Sequence, residues 1–458
     1  MNINEVINSI KNPNVEEFIP LEKIKNEEDK QKYPDYNIIF TFDEFKNIFP
    51  NIETKYIYYK KGFANVVYFS LENYIYIEFT LDKDLVMLNT MKKKSQTTEE
   101  YFLSLIDIRK KEIENKNFKL LLSEIAVPNS ISLLFLRELI RKKYENSYEL
   151  FKDVYFSVDY GFNIFSIEDY KKLLKLKKDF QIELTNNAIK NLPDILTIYR
   201  GEGSNSTDYS KSVSWTLDIN IAYFFAVKNS TDNARILTAE INKKDIFEYS
   251  KRENEILVLP ENVTFKSEQN LYNTDIIEST FNKTFINKSF CYGKTLLNQM
   301  YNKYCSNNNL ESHDKIHSLR VMFLSLIIAS QLDCKKHDLY TLVETSVFHD
   351  ICRENDDVDE IHGLNAYGIY EEYNGKSDLM KFLLTYHCKD DSEAIHYLKQ
   401  SNILDKENAY KIFSIFKDAD ALDRVRFGVK DLDINYLRND ISKQMVLVAQ
   451  MTFLYLKI

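Results

Sequence analysis

The sequence predicts a multidomain α+β protein: a small strand-containing module at the N-terminus, a mixed α+β domain in the middle and an all-α domain at the C-terminus. Three observations lead there. All seven histidines fall between His313 and His396, inside apolar runs of helical period, and none occurs earlier. Four short strand-like runs lie between 192 and 260 and follow a stretch of helical periodicity. A further run rich in Tyr, Ile, Val and Phe, from Lys55 to Leu81, reads as a small sheet. A length of 458 residues allows about three domains, and we expect them at 1–96, 97–280 and 281–458.

Composition narrows the class. A formal net charge of −9, from 60 basic and 69 acidic residues, argues against a protein held to nucleic acid mainly by bulk charge. No apolar run approaches the length of a membrane span, and the first residues lack a charged-then-apolar leader pattern. The five cysteines (Cys291, Cys305, Cys334, Cys352, Cys388) are widely spaced with no CxxC pair. They read as reduced thiols in a cytoplasmic protein.

Taken in order, residues 11–37 are polar and interrupted by proline, which predicts loops and short turns. Two or three strands follow from Lys55, their tyrosines filling a half-buried face. Thr97 and the acidic residues behind it signal the start of a helix that Pro128 ends; Ser130 opens a second. A third helix is expected from Ser166 to about Ile189, with a solvated basic face of lysines at 171, 172, 175, 177 and 178.

The strands then bring particular chemistry in a particular order. LPDILTIYRG ends in Arg200-Gly201, SVSWTLDINIAYFFA carries Ser214-Trp215-Thr216 ahead of a helix, and RENEILVLP opens with Glu253-Asn254-Glu255. Over about 190–268 this resembles the arginine–serine–glutamate class of mono-ADP-ribosyltransferases, the group related to bacterial toxin transferases, with the upstream helices matching that family's helical lobe. The resemblance implies that NAD is consumed as a substrate. Nicotinamide leaves through a transition state with positive charge on the ribose, and Glu255 would stabilise it. Glu253, on the same face of a strand, would orient or deprotonate the acceptor. Arg200 would bind phosphate, Ser214 would brace the glutamate and Thr216 its strand. Tyr223 or Phe224 would stack on nicotinamide. The acceptor is expected to be a macromolecule, protein or nucleic acid.

After a polar connection over 269–290, the histidine stretch contains IHSLRV, SVFHDIC, EIHGLNAYG, TYHCKDD and KDADALDRVRFG. Neutral imidazoles with charge-balancing carboxylates suit a divalent cation. The order and helical context resemble the HD-domain metal-dependent phosphohydrolases. That resemblance makes His317, His349, Asp350 and Asp418 the primary ligands and gives His362 and His387 to a second metal, with manganese, iron, magnesium, cobalt and nickel all open. It implies a phosphorylated, nucleotide-like substrate and a metal-activated water. Arg353 and Lys417 are placed to hold a phosphate, Asp420 and Asp423 to pair with Arg424 and Arg426, and His337 and His396 to lie on the surface. The tail to Ile458 should be a closing helix, packed on the bundle or on another subunit.

The whole reads as a bifunctional NAD-dependent transferase and metal phosphohydrolase, one half acting on or regulating the other's product, as in toxin or phage-defence systems. An alternative makes the helical domain the only enzyme, with a degenerate transferase-like fold as its sensor.

Overall fold

A computed structural model of the chain describes residues 18–62, 65–82, 96–118, 122, 129–158, 161–228, 233–305, 313–353, 356 and 359–455. The first sheet is an antiparallel meander of β1 (Phe18–Pro20), β2 (Ile57–Lys60), β3 (Val66–Ser70) and β4 (Ile75–Phe79). Alternating side chains bury both of its faces. One face meets Phe45 and Phe49, with Tyr101, Phe102 and Ile106 of the helix Thr98–Glu114. The other meets Leu134 of the helix Asn129–Arg141. Thr97 caps its helix as expected, in a reciprocal pair with Glu100. That helix stops at Glu114, where Lys116 turns to a φ of 58°; Pro128, expected to end it, lies outside the described residues. Because the helix packs into the N-terminal core, a boundary at 97 divides residues that share one core.

The helix expected over 166–189 is two, Ile167–Leu174 and Asp179–Ile189, with Ser166 capping the first. Lys177 lies between them and does not join a solvated basic face. Its ammonium sits 5.0 Å from the Tyr148 ring centre and donates to Thr185 and to the Phe247 carbonyl. This ties the helices to the second sheet.

That sheet has six antiparallel strands, β5 (Ile195–Gly203), β6 (Ser214–Thr216), β7 (Ala234–Asn242), β8 (Ile246–Ser250), β9 (Glu255–Val258) and β10 (Thr264–Asn270), in the spatial order β10-β7-β5-β6-β9-β8. β5 pairs with β7 along its whole length but meets β6 only at Tyr199 and Thr216. Beyond that single pair the two strands part. The strand expected from 252 starts at Glu255; Glu253 occupies the preceding turn, where Asn254 adopts a φ of 46°.

The helix Ile219–Lys228 crosses β5 at Gly201. A Cβ there would lie 1.8 Å from the Ala222 carbonyl oxygen and 2.6 Å from the Ala226 nitrogen, so only glycine permits this approach. The buried residues of the helix (Ala222, Tyr223, Ala226, Val227) belong to a core that it shares with the C-terminal helices. The polar connection expected at 269–290 is not a linker. β10 runs to Asn270, the helices Asp275–Phe281 and Thr284–Tyr304 follow, and Phe281 stacks on Phe323 at 4.6 Å.

The C-terminal region is helical, as expected, and wraps the buried helix Lys315–Gln331. Its tail forms two helices, Asp440–Gln444 and Val446–Tyr455, whose Met445–Ala449 stretch is buried on the bundle; Ile458 lies outside the described residues. Among those residues no helix is long and apolar enough to cross a membrane. Gly201→Ala should cost roughly 2–3 kcal/mol or more, since the added methyl meets fixed backbone. A thermal midpoint equal to that of the wild type would show that this contact does not hold strand and helix together.

Candidate functional site

Where β5 and β6 separate, a cleft of about 410 Å³ opens between the sheet and the upstream helices. Arg200, Ser214, Thr216, Glu253 and Glu255 all line it. Strand alternation puts Ser214 and Thr216 on one face and sends Trp215 into the core, 1% exposed. Ser214 Oγ donates to Glu255 Oε1 at 2.6 Å, and Thr216 Oγ1 donates to the Glu253 carbonyl at 2.8 Å, fixing the turn. Tyr155, from the helix Ser147–Tyr155, donates to the same Glu255 oxygen at 3.4 Å. Burial pushes the Glu255 carboxyl above its ordinary range; the Ser214 bond opposes this, Glu253 adds to it, and Tyr155 and Arg200 oppose it.

Arg200 is heavily engaged. It donates to Glu202 at 2.8 Å and to the carbonyls of Ser214 (2.8 Å) and Thr207 (2.7 Å). Glu202 is held in turn by Arg235 at 2.8 Å. At least three of the five guanidinium N–H groups thus stitch β5 to β6 and to the loop after β5. Neither aromatic expected to stack on a ligand lines the cleft. Tyr223 is 1% exposed in the shared core, and Phe224 lies under Lys430. Phe225, Tyr155 and Tyr170 line it instead. Tyr155 went unnoticed because it arrives from a helix far upstream in the chain.

The second constellation is the histidine cluster. His317 stands in the first turn of Lys315–Gln331, His349 caps Lys336–Phe348, His362 opens His362–Asn374 and His387 follows Asp378–Tyr386. Asp350 sits among them, 3% exposed. Its Oδ2 lies 3.2 Å from His349 Nε2 and 3.5 Å from His317 Nε2, and its Oδ1 lies 3.2 Å from His362 Nε2 and 3.7 Å from His387 Nε2. The helices of His362 and His387 meet at Gly363, where a Cβ would lie 2.2 Å from the Leu384 carbonyl oxygen. His313, one turn before His317, pairs with Asp356 at 2.8 Å, and His337 and His396 are exposed.

Every Nδ1 of the four inner histidines faces a pure acceptor: Asp423 for His317, and the carbonyls of Ser346, Asp359 and Leu384 for His349, His362 and His387. Nδ1 must therefore carry a proton, which leaves each Nε2 turned toward Asp350. Bonds of about 2.0–2.1 Å to a shared cation imply neighbouring ligand atoms roughly 3.0–3.4 Å apart, close to the spacings here. His317, His349 and Asp350 form one group that can hold a metal ion, and His362, His387 and Cys388 form another. Burial alone would disfavour a charged His317, yet the carboxylates of Asp350, Asp420 and Asp423 hold it well above the ordinary range. Burial raises the Asp350 carboxyl, but the surrounding histidines bring it well below the ordinary range. The site is built for positive charge.

The last carboxylate is Asp420, not Asp418. Asp420 Oδ1 lies 3.3 Å from His317 Nε2. Asp418 turns the other way and accepts from the backbone and side chains of Arg438 and Asn439. On the helix Lys406–Leu422, Phe416 packs on His349, and positions 416, 420 and 423 share a face that 418 does not. Asp423 holds His317, Arg320 and Arg426 and makes no contact with Arg424. Arg353 reaches Asp350 at 3.3 Å, but Lys417 is spent on Asp391 and the Lys389 carbonyl, away from the cluster.

The two sites are joined by one short segment. Lys430, seven positions after Asp423, places its Nζ 2.9 Å from Glu253 Oε1. No family model, curated protein or solved structure matches this chain.

Asp420→Asn should lower the metal content of the purified protein, with affinity down at least about tenfold. Asp418→Asn should keep the metal and lose stability. Elemental analysis beside thermal unfolding separates them, and the reverse pattern would return the ligand role to Asp418.

Proposed function

We propose that the chain is a two-site enzyme, with an NAD-dependent ADP-ribosyltransferase in the cleft and a metal-dependent phosphohydrolase in the histidine cluster. The observation that carries the first half is the Ser214–Glu255 hydrogen bond at the bottom of a cleft that also holds Arg200 and Glu253. Glu255, whose ionised form Ser214 and Tyr155 favour against the cost of burial, would face the positive charge that develops on the ribose as nicotinamide leaves. Glu253 would take the acceptor's proton. The N–H groups of Arg200 not given to Glu202 and the two carbonyls remain for a phosphate oxygen. The acceptor class rests on the resemblance alone.

For the second half, His317, His349, Asp350 and Asp420 would hold one divalent cation, with His362, His387 and the other Asp350 oxygen beside a second. The imidazole-rich donor set favours manganese, iron, cobalt or nickel over magnesium. A cation held there supplies an activated water and draws charge from phosphoryl oxygens. The protein's own contribution is orientation: Asp423 and three carbonyls fix the rings, and Arg353 stands beside Asp350 to meet a phosphorylated, nucleotide-like substrate.

A second reading keeps only the phosphohydrolase active and makes the cleft a sensor. The heavy engagement of Arg200 with Glu202 favours it. Nicotinamide release from NAD decides between them. Glu255→Ala should lower release by at least about a hundredfold and leave phosphodiester hydrolysis intact, and Asp350→Ala should do the reverse. No release by the wild type, with phosphodiesterase activity present, would leave the sensor reading.

The pH profile gives an independent check. Glu255 must be ionised to act and its pKa is raised, so release should fall on acidification at a higher pH than for an ordinary carboxylate. Ser214→Ala removes a bond that favours the ionised form and should move this acid limb up; Glu253→Gln removes a like charge and should move it down. Opposite movements would exclude Glu255 as the titrating group.

A further inference from the structure

Lys430 belongs to the helical region yet ends at Glu253, a residue that lines the cleft. Its backbone is fixed from several sides. The Asn220 side chain accepts from the Ile434 amide at 2.8 Å and donates to Asp433 at 3.0 Å, Arg424 donates to the Asp431 carbonyl, and Leu432 is 2% exposed in the shared core. The side chain is not fixed in the same way. It lies over the Phe224 ring at 4.4 Å, remains 45% exposed, and ends at the carboxylate of Glu253, itself 20% exposed. Among the described residues it is the only cation paired with Glu253. A primary amine on a flexible stem, held against the carboxylate assigned to the acceptor, stands where that carboxylate could take its proton.

We propose that Lys430 is an internal acceptor, so that the protein ADP-ribosylates itself at this position; the proposal rests on the transferase reading of the cleft. The ammonium of Lys430 gives one proton to Glu253. The freed amine pair forms a bond to C1′ of the NAD ribose as the C1′–nitrogen bond to nicotinamide breaks. Nicotinamide leaves with that electron pair as a neutral molecule, and the new secondary ammonium releases its surplus proton to solvent. The product is an N-glycosidic ADP-ribosyl-lysine seven positions from Asp423, on the segment that also serves the histidine cluster.

The test incubates the full-length protein with NAD, follows nicotinamide release, and maps modified peptides by mass spectrometry under fragmentation that preserves the glycosidic bond. The expected result is one ADP-ribosyl group on Lys430, formed at a rate per molecule independent of protein concentration. The group should be absent from Glu255→Gln and, at this position, from Lys430→Gln, with Lys430→Gln keeping the wild-type thermal midpoint. Nicotinamide release with Lys430 unmodified overturns the proposal while leaving the transferase reading standing. So does label that accumulates on other residues alone, or a modification rate that rises with protein concentration. Faster release by Lys430→Ala, with no label on the wild type, would make the ion pair a brake instead. No release by the wild type removes the transferase reading itself, and the proposal with it.

Discussion

The approach of the helix Ile219–Lys228 to Gly201 is the contact on which the arrangement turns. Backbone meets backbone with no room for a side chain, which fixes β5 against the helix and so fixes Arg200 beside the parted sheet. The same helix turns Ala222, Tyr223, Ala226 and Val227 into a core with the C-terminal helices and offers Asn220 to the segment that carries Lys430. Core packing is stiff and transmits displacement. A shift of this one helix would move the cleft, the segment and the neighbouring bundle together.

The histidine cluster is governed by a different constraint. Four imidazoles and a carboxylate withdrawn from water are costly unless each polar atom is satisfied. The fold meets this on the outer side, where Asp423 and three main-chain carbonyls take up every Nδ1 proton. On the inner side it leaves Nε2 lone pairs and carboxylate oxygens facing one another. Such an arrangement is repulsive on its own and becomes favourable around positive charge, and the same carboxylates hold the His317 imidazole above its ordinary range. Asp420, with a side chain 34% exposed, is the most open member of this constellation and marks its solvent side.

Much of this was legible in residue types and order. The Arg, Ser-Trp-Thr and Glu-x-Glu segments meet in one cleft because strand ends at a parted sheet converge, and the histidines meet because each stands at or near a helix end. What escaped the sequence was decided by geometry a few residues wide. Asp418 and Asp420 differ by two positions, and only the helical phase set by Phe416 tells them apart. Glu253 lies in a turn because Asn254 accepts a left-handed backbone, which alternation alone does not reveal. The stretch 269–290 looked like a linker because its buried positions, Leu271, Ile276, Thr280, Ile286 and Ser289, are sparse and set among polar residues. Tyr155 reaches the cleft, and Lys430 reaches Glu253, from elements remote in the chain, and no local pattern announces a tertiary contact of that kind.

The continuous core between the sheet region and the helical bundle has a consequence for how such a chain can be assembled and altered over generations. A recombination event that cut near residue 280 would leave each fragment with an apolar face, Tyr223, Ile236 and Leu271 on one side and Ile286 and the bundle on the other. Neither piece would inherit a finished surface. The sheet region and the helical bundle are therefore not interchangeable cassettes on a tether. They form a single heritable unit, in which a substitution at the seam is judged by its effect on both regions at once.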